Sequence, residues 1–217
     1  MLDKRLEIIF FYMRNKRFAV SRLKSFVPPL DDMRLAEMQV SYGLYFNSLI
    51  SVIDYIGKDL TQSDIFKNLI AIVGNDDNYN YIRELRNSII HRGLDVSSAG
   101  VEIKDLNIIA PFSPIYVENQ SGNKKYYSYT DNLLQLVKIT EQVNSYLYDI
   151  CDKMQLLIYA PMTKDKYEDR IKNDPYMPEY AKKMSLQQEL NFEKINKNLE
   201  KIHNDRVKKY FDTSDIL

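Results

Sequence analysis

The side chains of this 217-residue chain best matched to phosphate and acid–base chemistry fall within one short run: Arg83, Arg86, Asn87, His91 and Arg92. Histidine, with an unperturbed pKa of about 6.5, takes or gives a proton near neutrality. Arginine holds a permanent charge on a planar fork of donors matched to phosphate oxygens. Asparagine does not titrate, but it orients its neighbours by hydrogen bonding. Such groups suit proton transfer beside a phosphate ester; one reaction of that kind is RNA hydrolysis without a metal, in which a 2′-hydroxyl attacks the adjacent phosphate. That reaction requires a base near neutral pH, a proton for the leaving 5′-oxygen and cationic donors for the pentacoordinate phosphorane.

The spacing predicts a helix over residues 79–93. Ile82, Leu85 and Ile89 recur at three- and four-residue intervals and form a buried stripe. Arg83, Asn87 and His91 are four apart and share another face, with Arg86 at the edge between the two. Gly93 is the residue type that closes a helix in a left-handed cap. His91 would then sit at a helix C-terminus, where positive charge is mildly favoured.

Other elements must position this helix. Residues 3–26 read as a helix that stops before Pro28-Pro29. It carries Lys4, Arg5, Arg14, Lys16, Arg17, Arg22 and Lys24 against Asp3 and Glu7, charges expected in solvent as an approach surface for anions. Residues 31–56 form a long helix opened by Asp31 or Asp32 and ended by Gly57, with the stripe Met38, Tyr42, Tyr45, Leu49, Val52, Ile56. Thr61 and Asp64 resemble a capping box for a short helix ending at Gly74. Residues 101–129 favour strands and a β-hairpin insertion turning at 120–123. A second long helix is expected over 131–158, on the stripe Leu133, Leu136, Thr140, Val143, Leu147, Ile150, Met154, Leu157. Residues 163–178 read as a linker, and 179–211 as helix with Phe192, Ile195, Leu199 and Ile202 on one face and His203 toward solvent. The class is all-α: an antiparallel four- to five-helix bundle over 1–160, with a hairpin insertion and a helical C-terminal extension over 161–217.

Composition bounds the function. Thirty basic residues balance thirty acidic ones, so the chain is no bulk polycation and a nucleic-acid site must be a local patch. A single cysteine, Cys151, excludes an internal disulfide, fits a reducing cytoplasm, and reads as a small buried residue beside an apolar stripe. The apolar run 8–13 is too short to span a bilayer or act as a signal core. No metal-ligand spacing, phosphate-cradling glycine loop or serine-nucleophile motif is present, so neither metal nor cofactor is expected.

Arg86-Asn87, three variable residues and His91, on a helix of a helical chain, resemble the HEPN superfamily (higher eukaryotes and prokaryotes nucleotide-binding domain) over about residues 1–159. Many of its members are metal-independent RNA endonucleases of toxin–antitoxin, phage-defence and CRISPR-associated systems. The resemblance implies an antiparallel helical bundle and a homodimer whose two motif helices face each other across one cleft. It implies His91 as general acid/base, Arg86 as phosphate stabiliser and Asn87 as positioning residue, with a 2′,3′-cyclic phosphate and a 5′-hydroxyl as product ends. Arg83 and Arg92 flank the motif and could hold backbone phosphates. Lys124, Lys125 and Tyr126 combine charge with a stacking face suited to single-stranded RNA. An antitoxin or regulatory protein is a further expected partner. Some toxins of the superfamily carry a tyrosine, a target of adenylylation, two residues after the histidine. Gly93 stands there in this chain, so that route of control is not supported. The alternatives are a catalytically silent HEPN-like module that binds RNA, nucleotide or protein, and a helical scaffold in which His91 is an ordinary surface residue.

Overall fold

A computed structural model of the chain describes residues 4–59, 67, 71 and 75–211. These residues are mostly helical, with two small antiparallel β-hairpins in the middle of the chain. Helix α1 (Lys4–Leu23) buries Leu6, Ile9, Met13, Val20 and Leu23 on one face and packs along α2 (Asp32–Asp54). Asp31 caps α2, its carboxylate accepting the Arg34 N–H at 2.8 Å. The stripe from Met38 to Ile56 is buried as the spacing predicts. Gly57 does not end this helix; the chain continues through a π-helical turn, Tyr55–Asp59. The Thr61/Asp64 capping box and the helix expected to end at Gly74 lie outside the described residues.

Helix α3 (Asp76–His91), which carries the motif, lies against α2 on one side. The expected single hairpin is two. β1 (Gly100–Ile103) pairs with β2 (Ile108–Pro111), and β3 (Tyr116–Glu118) pairs with β4 (Lys125–Tyr127). Residues 112–115 separate them, and Pro114 among these has no N–H to extend a ladder. The turn at 120–123 forms as expected: Gly122 takes φ +71°, and the Asn119 side chain accepts the N–H groups of Asn123 and Lys124, each at 3.1 Å. The β3–β4 hairpin packs on α3.

In place of one helix over 131–158 the chain forms α4 (Leu133–Glu141) and α5 (Val143–Lys153), interrupted at Gln142. The interruption falls between Glu141 and Asn144, both fully buried and both bonded to Lys16 of α1. The expected linker contains α6 (Lys164–Lys172), capped by Thr163, whose hydroxyl accepts the Lys166 N–H at 3.3 Å. Beyond it, α7 (Glu179–Leu186) and α8 (Phe192–Phe211) replace one helix, because Asn191 opens α8 by accepting the Lys194 N–H at 2.9 Å. α8 docks on α1 and α5. Its Tyr210 and Phe211 rings lie 5.3 and 6.3 Å from Phe10, and Phe211 joins the main apolar core. Among the described residues no helix is long and apolar enough to cross a membrane.

Candidate functional site

The motif helix is fixed at both ends by its own sequence. Asn75 caps it, accepting the Asn78 N–H at 2.8 Å, and Asp76 and Asp77 occupy the first turn where negative charge is favoured. At the other end Arg92 and Leu94 both donate their N–H to the Ser88 carbonyl, at 3.2 and 3.0 Å. The reversal requires a left-handed residue, and Gly93 supplies it with φ +68°. Ile82, Leu85 and Ile89 form the buried stripe. On α2, a Cβ added to Gly43 would meet Ile90 Cδ1 at 3.0 Å and Ile89 Cγ2 at 3.1 Å, so the glycine lets the two helices approach.

The opposite face is as the four-residue spacing predicts. Arg83 and Asn87 are half-buried and His91 is exposed at the last turn. Arg86 lies at the edge, half-buried, with its Nε enclosed by protein and lacking a hydrogen-bond partner among the described residues. Among the described residues nothing hydrogen-bonds to His91 or to the Asn87 side chain. Arg83 Nε is 3.7 Å from Glu84 Oε1. Both arginines act on Tyr79 from nearby: burial and then the Asp54 carboxylate hold its phenol above the ordinary value, and Arg83 and Arg86 oppose that rise. The Tyr79 hydroxyl donates to Asp54 Oδ1 at 3.3 Å. A shallow apolar groove of about 500 Å³ runs beside this face between α2 and α3, lined by Val40, Gly43, Leu44, Ile89 and Ile90. Val40 and Ile90 are 69% and 45% exposed.

The residues expected to assist in RNA binding divide. Arg92 is committed to the fold: its guanidinium donates to the carbonyls of Glu84 and Glu118, at 3.0 and 2.6 Å, and to Ser88 Oγ at 2.7 Å. It also reaches Glu84 Oε2 at 3.2 Å, so it fastens α3 to β3 instead of standing free for phosphate. Tyr126 is buried in the main core, which removes its ring as a stacking platform; the exposed hairpin rings are Tyr127 and Tyr116. Lys124 Nζ lies 3.6 Å from Asp77 and 4.6 Å from the Tyr126 ring centroid. Lys125 Nζ lies 4.0 Å over Tyr116 and 3.6 Å from Glu118, and contact with Tyr116 raises its pKa. Both lysines keep their heads in solvent beside α3.

Two polar residues expected at the surface are buried. Lys16 is fully enclosed, its ammonium donating to Glu141 Oε1 and Asn144 Oδ1. The Tyr45 hydroxyl donates to the same Glu141 oxygen at 2.9 Å and lies 2.7 Å from Thr140 Oγ1; Asn144 Nδ2 donates to Glu141 Oε2 at 2.9 Å. Burial lowers the Lys16 pKa against the pull of Glu141. Burial also pushes Glu141 up, but Lys16, Tyr45 and Asn144 outweigh it and hold the carboxyl below its ordinary value. His203 is the second correction. It is 2% exposed, its Nε2 donates to the Leu157 carbonyl at 2.7 Å, and it takes the apolar slot expected for Ile202, which is 47% exposed. The stripe Leu199, His203, Val207 at four-residue spacing was the available signal. Cys151 is buried, and burial pushes its thiol up to about 12, as befits a packing residue and not a nucleophile.

Among the described residues no three His, Cys, Asp or Glu side chains converge as a metal-binding group. The chemistry concentrated on the outer face of α3 is therefore an exposed imidazole, a carboxamide and two guanidinium groups. Comparison of the chain with protein-family models, with curated proteins and with solved structures finds no match.

Proposed function

We propose that this chain is a metal-independent RNA endonuclease of the HEPN type, built on an antiparallel four- to five-helix bundle and acting as a cytoplasmic toxin or phage-defence effector. The observation that carries the reading is the state of the motif side chains. Among the described residues His91 and Asn87 have no partner and the enclosed Nε–H of Arg86 has no acceptor. Buried donors are almost always satisfied, so an orphan on a guanidinium beside an open histidine is suited to an anionic oxygen that arrives with the substrate. In this reading Arg86 receives the scissile phosphate, Asn87 orients it, and His91 transfers the proton between the 2′-hydroxyl and the leaving 5′-oxygen. Arg83, on the same face, holds a neighbouring phosphate.

One copy supplies one histidine. A two-fold pairing of α3 helices would bring two sets into one cleft, and the apolar groove with exposed Val40 and Ile90 beside the motif suits such a contact. An antitoxin or regulatory protein would act by covering the same face. A catalytically silent HEPN-like binding module is the second reading. It is favoured by one observation: among the described residues no side chain orients the His91 ring, whereas a working acid/base is normally held in place.

The test is RNA cleavage by purified wild type, His91→Ala and Arg86→Ala in EDTA, with end-group analysis. Cleavage leaving a 2′,3′-cyclic phosphate, and falling at least about a hundredfold in either variant, is the expected result. RNA binding without cleavage, insensitive to His91, would transfer the assignment to the binding module.

A further inference from the structure

A second arginine shares the condition of Arg86. Arg17, in the second half of α1, is half-buried, and its Nε is enclosed by protein without a hydrogen-bond partner among the described residues. It lines a cavity of about 490 Å³ between α1 and α8, together with Ser21, Lys24, Asp205, Lys208 and Lys209. Arg17, Lys24, Lys208 and Lys209 thus line it with a single carboxylate, Asp205, in a chain whose net charge is zero. Among the described residues, the side chains of Arg17, Lys208 and Lys209 make no ion pair and no hydrogen bond. Lysines in the last turn of a helix commonly offset the helix dipole, which accounts for Lys208 and Lys209 singly. It does not account for Arg17, which lies in the helix interior and adds its charge beside the buried ammonium of Lys16. Like charges gathered from two helices around one cavity raise the free energy of the empty protein, and a compact anion removes that repulsion.

We propose that the α1–α8 groove binds a compact polyphosphate group, carried by a small molecule. The planar fork of Arg17 matches two oxygens of one phosphate, the lysines act as point charges for its neighbours, and the Ser21 hydroxyl is a further donor. The three cations without a partner among the described residues, Arg17, Lys208 and Lys209, call for a ligand with several negative charges within the length of one cavity, as in a triphosphate chain. A monoanionic carboxylate leaves most of the charge unmatched, and an extended RNA strand needs a track of cations along a groove, not a bounded set. This site is separate from the motif: α8 packs on α1 and α5, while α3 packs on α2 and the β3–β4 hairpin. The inference stands whether or not the chain cuts RNA.

Isothermal titration of the full chain with inorganic tripolyphosphate, at about 0.15 M salt where exposed charges are screened beyond about 8 Å, tests it. Saturable one-site binding is expected, weakened at least about tenfold in Arg17→Ala and in the double variant Lys208→Gln/Lys209→Gln. Thermal unfolding of each variant at or above the wild-type temperature, as relief of the repulsion between like charges requires, shows that the loss of binding is local and not a failure to fold. Adenosine triphosphate is the second titrant. Binding tighter than tripolyphosphate identifies a nucleoside polyphosphate, and equal binding identifies the phosphate chain alone. No saturable binding by wild type, unchanged affinity in both variants, or binding of a single-stranded RNA oligonucleotide where tripolyphosphate fails would each overturn the proposal.

Discussion

Two polar clusters in this molecule are built from nearly the same chemical groups and are arranged in opposite ways. In the core, Lys16 of α1, Tyr45 of α2, and Glu141 and Asn144 at the α4–α5 interruption form a closed set in which cation, carboxylate, carboxamide and hydroxyl each meet a partner. On the outer face of α3, cation, carboxamide and imidazole stand side by side with their polar atoms largely unmatched. A closed network answers its own desolvation and locks elements together, so it has nothing left for a ligand. An open cluster contributes little to folding and is poised to act on something else. Completeness of pairing, more than residue type, separates a structural polar group from a functional one here.

The sharpest way to break this contrast is to delete one member of the closed set. Lys16→Ala or Glu141→Ala leaves the other charge buried and unpaired, which costs about 3–5 kcal/mol. Urea denaturation should show that loss, while Lys16→Met/Glu141→Leu, which removes both charges, should recover most of it. Recovery no better than either single variant would mean that the charge pair is not the source of the effect. Acid probes the same set. The folded carboxyl of Glu141 lies below its ordinary 4.5, so the unfolded chain takes up the proton first as pH falls. The stability is therefore present above that value and is lost as pH drops through the folded pKa. Glu141→Gln should remove that share of the acid slope.

The open cluster should respond in the reverse sense. Arg86→Ala and His91→Ala should reduce RNA cleavage at least about a hundredfold, near 2.7 kcal/mol of transition-state stabilisation, and leave folding stability within about 0.5 kcal/mol. Large losses of both activity and stability would place Arg86 with Lys16, as a structural cation.

Arg92 sharpens the comparison, because it is one residue from His91 and belongs to the closed kind. Its guanidinium spans Glu84 and Ser88 of α3 and the Glu118 carbonyl of β3. Arg92→Ala should cost about 1–3 kcal/mol by freeing acceptors that are partly or wholly enclosed. It should also speed proteolytic nicking of the β3–β4 hairpin. An Arg92 variant that lost RNA affinity at unchanged stability would return the residue to the ligand site.

The open face was legible in the sequence and the closed network was not, for a physical reason. The positions of Arg83, Asn87 and His91 follow from helical period alone, and the apolar stripes of α2 and α3 follow from the same rule. Closed networks are made of long-range partners. Lys16 and Glu141 are 125 residues apart, and Arg92 finds the Glu118 carbonyl across a hairpin. Local signals existed even so. Lys16 falls three residues after Met13 and four before Val20, in the apolar register of α1, and His203 falls in that of α8. A polar residue in an apolar register implies a buried partner, a signal that the many solvent-facing charges of α1 obscure. The break at Gln142, where the backbone keeps helical dihedrals, lies between Glu141 and Asn144, which meet an ammonium that no local pattern announces.

The hairpin lysines provide the smallest effect and the finest test. Lys124 and Lys125 are exposed, and each rests on a tyrosine ring and near a carboxylate, so each is partly but not fully matched. Exposed contacts of this kind contribute little to folding, and Lys124→Ala or Lys125→Ala should move the Tm by no more than about 2 °C. If the hairpin walls an RNA cleft, each substitution should weaken RNA binding less than about tenfold, uniformly across sequences. Each should also reduce the dependence of log K on log salt by about one unit, as the loss of one phosphate contact requires. An unchanged salt slope in both variants would confine the RNA footprint to α3 itself. The open cluster would then be Arg83, Arg86, Asn87 and His91, with the hairpin serving only to hold Arg92 and brace the helix from behind.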